Sequence, residues 1–236
     1  MKIMGLLGGM SWESTAEYYR ILNQETARRR GGLASTPLLL RSVDFQEAHN
    51  YLEQEEWATI AAHLGWLGRG LRLAGADFLV ICTNTMHRVA EEIALAAELP
   101  LLHIGDATLE YVRGQGMDRV GLLGTIPTME QPFLRERLAQ GGVETLVPDE
   151  KDRALLHHAI FQELCKGIFK ESSRNEFVRI SNELARNGAQ SVIMGCTEIP
   201  LLLRPDDVDV PLVDTTRVHA LAALDRAGIV DPEKGK

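Results

Sequence analysis

Four short segments carry side chains that could bind a small molecule or move a proton, and each follows an apolar run. They are residues 8–11 (Gly-Gly-Met-Ser), 83–85 (Thr-Asn-Thr), 124–125 (Gly-Thr) and 196–198 (Cys-Thr-Glu). Thiol, hydroxyl and carboxyl groups can exchange protons with a substrate, and a thiolate is also a good nucleophile. The sequence therefore indicates acid-base or nucleophilic chemistry at the ends of strands.

Cys196 is the strongest candidate among these groups. It follows Gly195 at the end of an apolar run and precedes a predicted helix, whose unbonded N–H groups and dipole would favour a thiolate. The alternative interpretation is a buried structural cysteine. Cys82 lies one place earlier on its own strand than Cys196 does, so its side chain is predicted to point to the other face, into the core.

The segment that begins with Gly8 and Gly9 is typical of a turn that holds a phosphate or carboxylate at the start of a helix. Ser14 and Glu17 fit a capping box, so plain helix capping explains the same residues. The glycine spacing is not that of a dinucleotide-binding loop, and no lysine follows as in a P-loop. Lys166, at the predicted end of a helix, is either a solvated charge or a cation that reaches a substrate carboxylate.

The elements that must position these residues are short apolar runs alternating with longer amphipathic stretches. The runs are residues 3–7, 38–43, 78–82, 101–104, 120–123, 143–147, 192–194 and 212–213. Strands that alternate with helices predict parallel sheets covered on both faces. The predicted fold class is therefore α/β, with each parallel sheet flanked by helices.

The chain also matches itself. The matching pairs are 5–8 with 121–124, 75–83 with 188–196, and 100–102 with 211–213. This predicts two pseudosymmetric domains, residues 1–105 plus 214–236 and residues 106–213, in which Thr83 and Cys196 hold equivalent positions. Ligands of parallel sheets bind beyond the carboxyl ends of the strands, so we expect an active site in a cleft between the domains.

Composition narrows the classes of partner. There are 25 Lys and Arg against 33 Asp and Glu, a formal net charge of −8, so no positive field attracts nucleic acid or an anionic membrane. No apolar stretch reaches the roughly 18 residues of a membrane span. Three widely spaced cysteines argue against a disulfide framework, and the spacing of Cys82, His87 and Cys196 matches no zinc motif. We expect a cytoplasmic protein without a metal.

Three motifs resemble those of the aspartate/glutamate racemase family, which needs no pyridoxal phosphate. They are Gly-Gly-Met-Ser-Trp-Glu-Ser-Thr at 8–15, Asn-Thr-Met-His at 84–87 and Gly-Cys-Thr-Glu-Ile at 195–199. The likeness covers nearly the whole chain and is strongest to the branch of L-aspartate/glutamate-specific racemases. It implies an isomerase that acts on a small amino acid without a cofactor, and a homodimer is the family expectation.

The resemblance also implies a mechanism. In the family, one thiolate removes the α-proton and a second thiol returns a proton on the opposite face. Here Thr83 stands where the first motif usually has its cysteine, and Cys196 keeps the second position. Cys196 would then deprotonate L-glutamate or L-aspartate and Thr83 would donate the new proton, so conversion from L to D should be faster than the return.

Other positions carry over as substrate-binding residues. They are Met10, Ser11, Asn84, Thr85, Met86, Thr197 and, more loosely, Lys166 for the side-chain carboxylate. The family's arginine near residues 44–54 has no counterpart, because Asp44, Gln46 and Gln54 stand in that segment. The preferred amino acid therefore stays open at this point.

Two other functions fit one reactive thiol on this predicted fold. The first is a decarboxylase of substituted malonates, which works with a single cysteine. The second is an amino-acid-binding protein without catalytic activity. Exchange of the α-proton of an amino acid with solvent would distinguish a racemase from both.

Overall fold

The computed structural model describes residues 1–233, and the last three residues of the predicted tail 214–236 lie outside this range. The chain divides into two compact units. The first comprises residues 1–104 together with the segment from residue 219 onward, and the second comprises residues 105–218.

The first unit contains a four-stranded parallel sheet in the order β2-β1-β3-β4. Its strands are β1 (Met4–Gly8), β2 (Leu38–Ser42), β3 (Phe78–Ile81) and β4 (Leu101–Leu102). Met4 is paired with Leu38 on one side and with Phe78 on the other. Every residue of β1 and β3 is buried, as expected for central strands covered on both faces.

The second unit contains a sheet with the same parallel arrangement, in the order β6-β5-β7-β8. Its strands are β5 (Arg119–Leu123), β6 (Glu144–Leu146), β7 (Ser191–Met194) and β8 (Leu212–Asp214). The predicted α/β class with parallel sheets is confirmed, and each strand falls on an apolar run singled out from the sequence.

Helices connect the strands and cover the sheets. They are α1 (Trp12–Arg30), α2 (Phe45–Glu53), α3 (Trp57–Leu73), α4 (Ala90–Ala97), α5 (Ile104–Gly114), α6 (Ile126–Glu130), α7 (Pro132–Gln140), α8 (Glu150–Gln162), α9 (Glu171–Arg186), α10 (Ile199–Leu202) and α11 (Thr215–Ala227). Short 3₁₀ turns occupy Thr85–Val89, Leu164–Lys166 and Pro205–Asp207. Within residues 1–233, none of the helices has both the length and the apolar character that crossing a membrane requires.

Alternation along the central strands divides the core of the first unit into two clusters. Leu79 and Ile81 pack with residues of α3 and α4 on one face of the sheet. Phe78, Val80 and Cys82 pack on the other face, with α1 and with α11 residues such as Leu224. Cys82 therefore belongs to the core, as its strand position predicts.

The end of α1 holds the C-terminal segment against the first unit. Arg29 is buried and donates from Nη1 to the carboxylate of Asp225 at 2.7 Å and to the carbonyl of Ile229 at 2.6 Å. The helix stops at Gly31, whose N–H bonds the carbonyl of Ala27. Arg28, Arg29 and Arg30 thus form the basic last turn of α1, where positive charge is favourable at the end of a helix.

Candidate functional site

Thr83 and Cys196 occupy the same position relative to their strands. Each lies two residues beyond the end of the strand, Thr83 after β3 and Cys196 after β7. In the first unit, β1 and β3 are neighbouring parallel strands. The segments that follow β1 and β3 therefore begin at the same edge of the sheet. Because parallel strands present their carboxyl ends at a common edge, this is where a ligand of such a sheet is expected.

The segment after β1 is held in a tight turn. Gly9 has a φ of +94°, and a Cβ at this position would lie 2.3 Å from the carbonyl oxygen of Val43. The hydroxyl of Thr15 accepts from the N–H of Gly9 at 2.8 Å and donates to the carbonyl of Ser11 at 2.9 Å. Met10 and Ser11, both predicted to bind substrate, are buried next to this turn, and the peptide bond between them is cis.

The predicted capping box is wrong. Helix α1 begins at Trp12, with Ser11 as the preceding N-cap residue, so Ser14 lies inside the first turn and is buried. No side-chain cap bond forms at this end of the helix, and the hydroxyls of Ser11 and Ser14 lie 3.4 Å apart. The spacing of Ser14 and Glu17 fits a cap in sequence, but the chain enters the helix three residues earlier.

The segment after β3 brings four predicted site residues to the same sheet edge. Thr83 is half-buried, while Asn84, Thr85 and Met86 are buried. The N–H of His87 bonds the carbonyl of Asn84 at 3.0 Å and closes the turn into the short 3₁₀ helix. Thr83, the most exposed of these four residues, is thus carried on a backbone that the turn holds.

Cys82, the neighbour of Thr83, has no features of a reactive thiol. Its side chain is fully buried in the core, and its N–H bonds the carbonyl of Leu7 at 2.9 Å. Burial raises the pKa of the Cys82 thiol far above its ordinary value, so the group stays protonated. Of the two adjacent candidates, Thr83 is the one that reaches the surface of the sheet edge.

In the second unit, Cys196 lies beside a carboxylate. Its Sγ donates to Oε2 of Glu198 at 2.9 Å, and the hydroxyl of Thr197 donates to the same oxygen at 3.1 Å. All three residues are buried, with Cys196 the most exposed at 8%. A buried thiol with a proton acceptor in contact is an arrangement in which a proton can leave the sulfur.

The expected stabilisation of a Cys196 thiolate by a following helix is wrong. Helix α10 has only four residues and starts at Ile199, and the nearest charge to the sulfur is the carboxylate of Glu198. Burial and that negative charge raise the pKa of Cys196 well above its ordinary value. In this structure the sulfur carries its proton.

Glu198 is the residue to which sequence reasoning gave no role. It was visible as a possible acid or base, since it follows Cys196 by two positions at a strand end. Its contact with the sulfur depends on the chain turning at the end of β7, where the N–H of Ile199 bonds the carbonyl of Cys196 at 3.1 Å. Periodicity alone does not predict that turn.

The remaining predicted positions lie in polar surroundings. Lys166 is exposed at the end of the turn that follows α8, and its Nζ donates to the side chain of Gln162 at 2.8 Å. In the segment where the family arginine is missing, Asp44 caps α2 by accepting from the N–H of Gln46. Gln46 and Gln54 both donate to Asn50 of the same helix. These side chains therefore satisfy one another locally.

Three buried histidines form a cluster that sequence reasoning also missed. His87, His103 and His219 lie in the first unit, with ring centroids of His87 4.7 Å from His103 and 5.5 Å from His219. Tyr18 bonds Nδ1 of His219 at 2.8 Å. The sequence does not predict this cluster, because the three histidines lie far apart in the chain. Only the packing of α11 on the sheet brings His219 to His87.

Comparisons with protein families and with individual proteins both find racemases similar to this chain. A family model described as Asp/Glu/hydantoin racemase matches residues 7–223. The broad specificity amino-acid racemase RacX of Bacillus subtilis (strain 168) is 24% identical over 154 residues, which is 65% of this chain and 66% of that protein.

Two solved structures are similar over nearly their whole length. The crystal structure of a candidate Asp/Glu racemase from Yersinia pestis is 49% identical, with a TM-score of 0.89, and the match covers 96% of this chain and 99% of that one. An aspartate racemase homologue from Pyrococcus horikoshii OT3 is 31% identical, with a TM-score of 0.82 and coverage of 97% and 100%.

Proposed function

The chain belongs to the Asp/Glu/hydantoin racemase family, a family of isomerases, and from this premise we propose that it racemises an acidic amino acid without a cofactor. Cys196 removes the α-proton of L-glutamate or L-aspartate, and Thr83 donates a proton to the opposite face of the α-carbon. Met10, Ser11, Asn84, Thr85, Met86, Thr197 and Lys166 are the proposed substrate-binding residues.

The observation that carries this proposal is the contact between Cys196 and Glu198. A protonated sulfur cannot remove an α-proton, so the thiol must first lose its own. Oε2 of Glu198, 2.9 Å from Sγ, is placed to accept that proton, which leaves a thiolate and a neutral carboxyl group. The α-ammonium of a bound amino acid would favour the thiolate, since a nearby positive charge lowers a thiol pKa.

Thr83 gives the proposed reaction a direction. A hydroxyl is a far weaker acid than a thiol, but it can give a proton to a strongly basic carbanion. Donation leaves an alkoxide at Thr83, which takes up a proton from solvent before the next turnover, and removal of the α-proton from a D-amino acid would have to start from that same alkoxide. L- and D-enantiomers have equal free energies, so kcat/KM must be the same in the two directions. The asymmetry is therefore expected in kcat at saturating substrate, which should be higher for the L-enantiomer than for the D-enantiomer.

The proposal is tested by incubating the protein with L- and D-amino acids in deuterated water. Loss of the α-proton is followed by NMR and inversion by chiral chromatography. We expect D-glutamate or D-aspartate from the L-enantiomer, no reaction with Cys196→Ala, a strongly reduced rate with Thr83→Ala, and a near-normal rate with Cys82→Ala. Loss of activity in Cys82→Ala alone would mean that the neighbouring thiol is the catalytic group.

Two outcomes would support the other functions. Release of carbon dioxide from an arylmalonate, without α-proton exchange in any amino acid, would identify a decarboxylase. Amino-acid binding that survives Cys196→Ser, with no exchange in the unaltered protein, would identify a binding protein. Equal kcat values for L- and D-glutamate at saturating concentrations would contradict the assignment of Thr83 as the proton donor.

A further inference from the structure

We propose that His87 is a positioning residue that holds the Thr83 backbone in place through a hydrogen bond to the Thr83 carbonyl. The inference rests on the proposed function, because it assigns a role in presenting the proton donor. Nδ1 of His87 lies 2.7 Å from the carbonyl oxygen of Thr83, four residues earlier in the chain. His87 is buried, with 2% of its surface exposed, so the bond is shielded from water.

The hydrogen-bond partners determine which nitrogens of the cluster carry protons. A carbonyl can only accept, so Nδ1 of His87 must be the protonated nitrogen. By the same reasoning, Nε2 of His219 donates to the carbonyl of Leu102 at 3.0 Å, and Nδ1 of His219 accepts from the hydroxyl of Tyr18. Nε2 of His103 donates to the carbonyl of His87 at 3.3 Å. Each imidazole therefore ties a main-chain carbonyl of the first unit.

His87 is neutral in this arrangement. Burial lowers its pKa well below the ordinary value, and the neighbouring His103 and His219 act in the same direction. The carbonyls of Thr83 and Leu102 act in the opposite direction, but within residues 1–233 Nε2 of His87 makes no hydrogen bond of good geometry. A buried nitrogen without a partner costs free energy, which an aliphatic side chain at this position would avoid. The bond to Thr83 is the contact that a leucine could not replace.

The bond acts at the point where it matters for Thr83. Upstream, the N–H of Cys82 fixes the chain to the carbonyl of Leu7 in β1. Downstream, the N–H of His87 bonds the carbonyl of Asn84. The carbonyl of Thr83 lies between these two anchors, and the imidazole holds it. This bond holds the peptide plane that follows Thr83, between the anchored planes that precede Cys82 and follow Asn84, and so limits the movement of the backbone that carries the Thr83 hydroxyl.

The test uses variants that separate hydrogen bonding from packing. In His87→Asn the amide nitrogen can occupy nearly the place of Nδ1, whereas His87→Leu keeps more of the volume but has no donor. We expect the kcat for L-to-D conversion to fall roughly 10- to 100-fold in His87→Leu. In His87→Asn we expect it to stay within about threefold of the unaltered protein. A packing role predicts the reverse order, because leucine fills the cavity better than asparagine.

A second readout does not depend on activity. Amide hydrogen exchange of the peptide containing Thr83 to His87, followed by mass spectrometry, should be faster in His87→Leu and unchanged in His87→Asn. Tyr18→Phe is the matched control, since it removes a buried hydrogen bond of the same cluster without touching the Thr83 carbonyl. It should lower the thermal midpoint and leave both kcat and the exchange of that peptide unchanged.

The outcomes are distinct. Normal kcat in His87→Leu, or equal losses in both His87 variants, would overturn the positioning role. If the unaltered protein racemises no amino acid, the proposed function fails, and the exchange of the Thr83 peptide then decides whether His87 holds this segment. Faster exchange in His87→Leu alone would support that structural part, and equal exchange in all variants would refute it.

Discussion

The pair formed by Cys196 and Glu198 brings a thiol into contact with a proton acceptor, and the proposed role of Cys196 as a base rests on this contact. Desolvation and a neighbouring carboxylate keep the sulfur protonated in the absence of substrate. The same carboxylate accepts the thiol's hydrogen bond and is the nearest group that can take its proton. Such a thiol is also poorly reactive toward other electrophiles, because the thiolate is the nucleophile.

Replacement of Glu198 separates the effect of its charge on the thiol pKa from its proposed role as the acceptor of the thiol's proton. In Glu198→Gln the negative charge is gone, so the pKa of Cys196 should fall. The racemisation kcat should nevertheless drop on the order of 100-fold, because the proton acceptor is lost. The thiol pKa is measured from the pH dependence of Cys196 alkylation by iodoacetamide, and kcat by chiral chromatography.

Asp152→Asn is the control for this experiment, since it neutralises another buried carboxylate of the second unit, one paired with Arg179. It should leave the Cys196 pKa and kcat near those of the unaltered protein. A Glu198→Gln protein as active as the original would show that some other group takes the thiol's proton.

At the level of elements, both sheets place their candidate groups by the same device. A buried strand ends, and the second residue after it carries the candidate side chain, Thr83 after β3 and Cys196 after β7. At the end of β7 a glycine lets the chain approach the neighbouring strand closely, whereas Cys82 holds the corresponding place after β3. Gly195 donates its N–H to the carbonyl of Leu123 at 2.7 Å, and a Cβ there would lie 2.8 Å from the same oxygen.

The turn after β1 makes a testable case. A Cβ on Gly9 would lie 2.3 Å from the carbonyl oxygen and 2.5 Å from the nitrogen of Val43, both backbone atoms that cannot rotate away. Gly9→Ala should therefore cost about 4 kcal/mol or more of unfolding free energy. Urea unfolding followed by tryptophan fluorescence measures the loss.

Gly32→Ala is the matched control. Gly32 also has a positive φ, +62°, but a Cβ there meets no atom within 4 Å. It should cost only the conformational penalty of about 1 to 2 kcal/mol. Equal losses in the two variants would mean that the approach of Val43 to Gly9 has no energetic consequence.

At the scale of the whole molecule, the histidine cluster links stability to pH. Burial lowers the pKa of His219 to about 4 and that of His87 well below its usual value. The unfolded chain takes up protons near pH 6.5, while the folded chain does not. The contribution of the neutral, buried histidines to the free energy of unfolding is therefore fully present above about pH 6.5 and is lost as the pH falls toward 4.

The expected loss from His219 alone is about 2 kcal/mol between pH 7 and pH 5. Tryptophan fluorescence reports on the correct unit, because Trp12, Trp57 and Trp66 all lie in the first one. Urea unfolding at both pH values should show that His219→Gln reduces the pH dependence by that amount. His158→Leu, which removes an exposed histidine of α8, should not change it. An unchanged pH dependence in His219→Gln would contradict this account.

Much of the molecule is encoded locally in the sequence. Apolar runs of strand length specify where β1 to β8 lie, and alternation along β3 places Cys82, which follows it, on the same core face as Phe78 and Val80. The motifs around Asn84 and Cys196 were enough to indicate the racemase family, because these residues are adjacent in the chain.

Only the tertiary structure determined the properties that depend on contacts between side chains, either far apart in the chain or brought together by a turn. The protonated state of Cys196 follows from burial and from a turn that brings the Glu198 carboxylate to the sulfur. The helix that was expected to favour a thiolate is only a single turn long. Likewise, His87 and His219 meet only because α11 packs on the sheet of the first unit. The pattern of side chains along a chain specifies its elements, whereas desolvation and electrostatic neighbours exist only after the elements have packed.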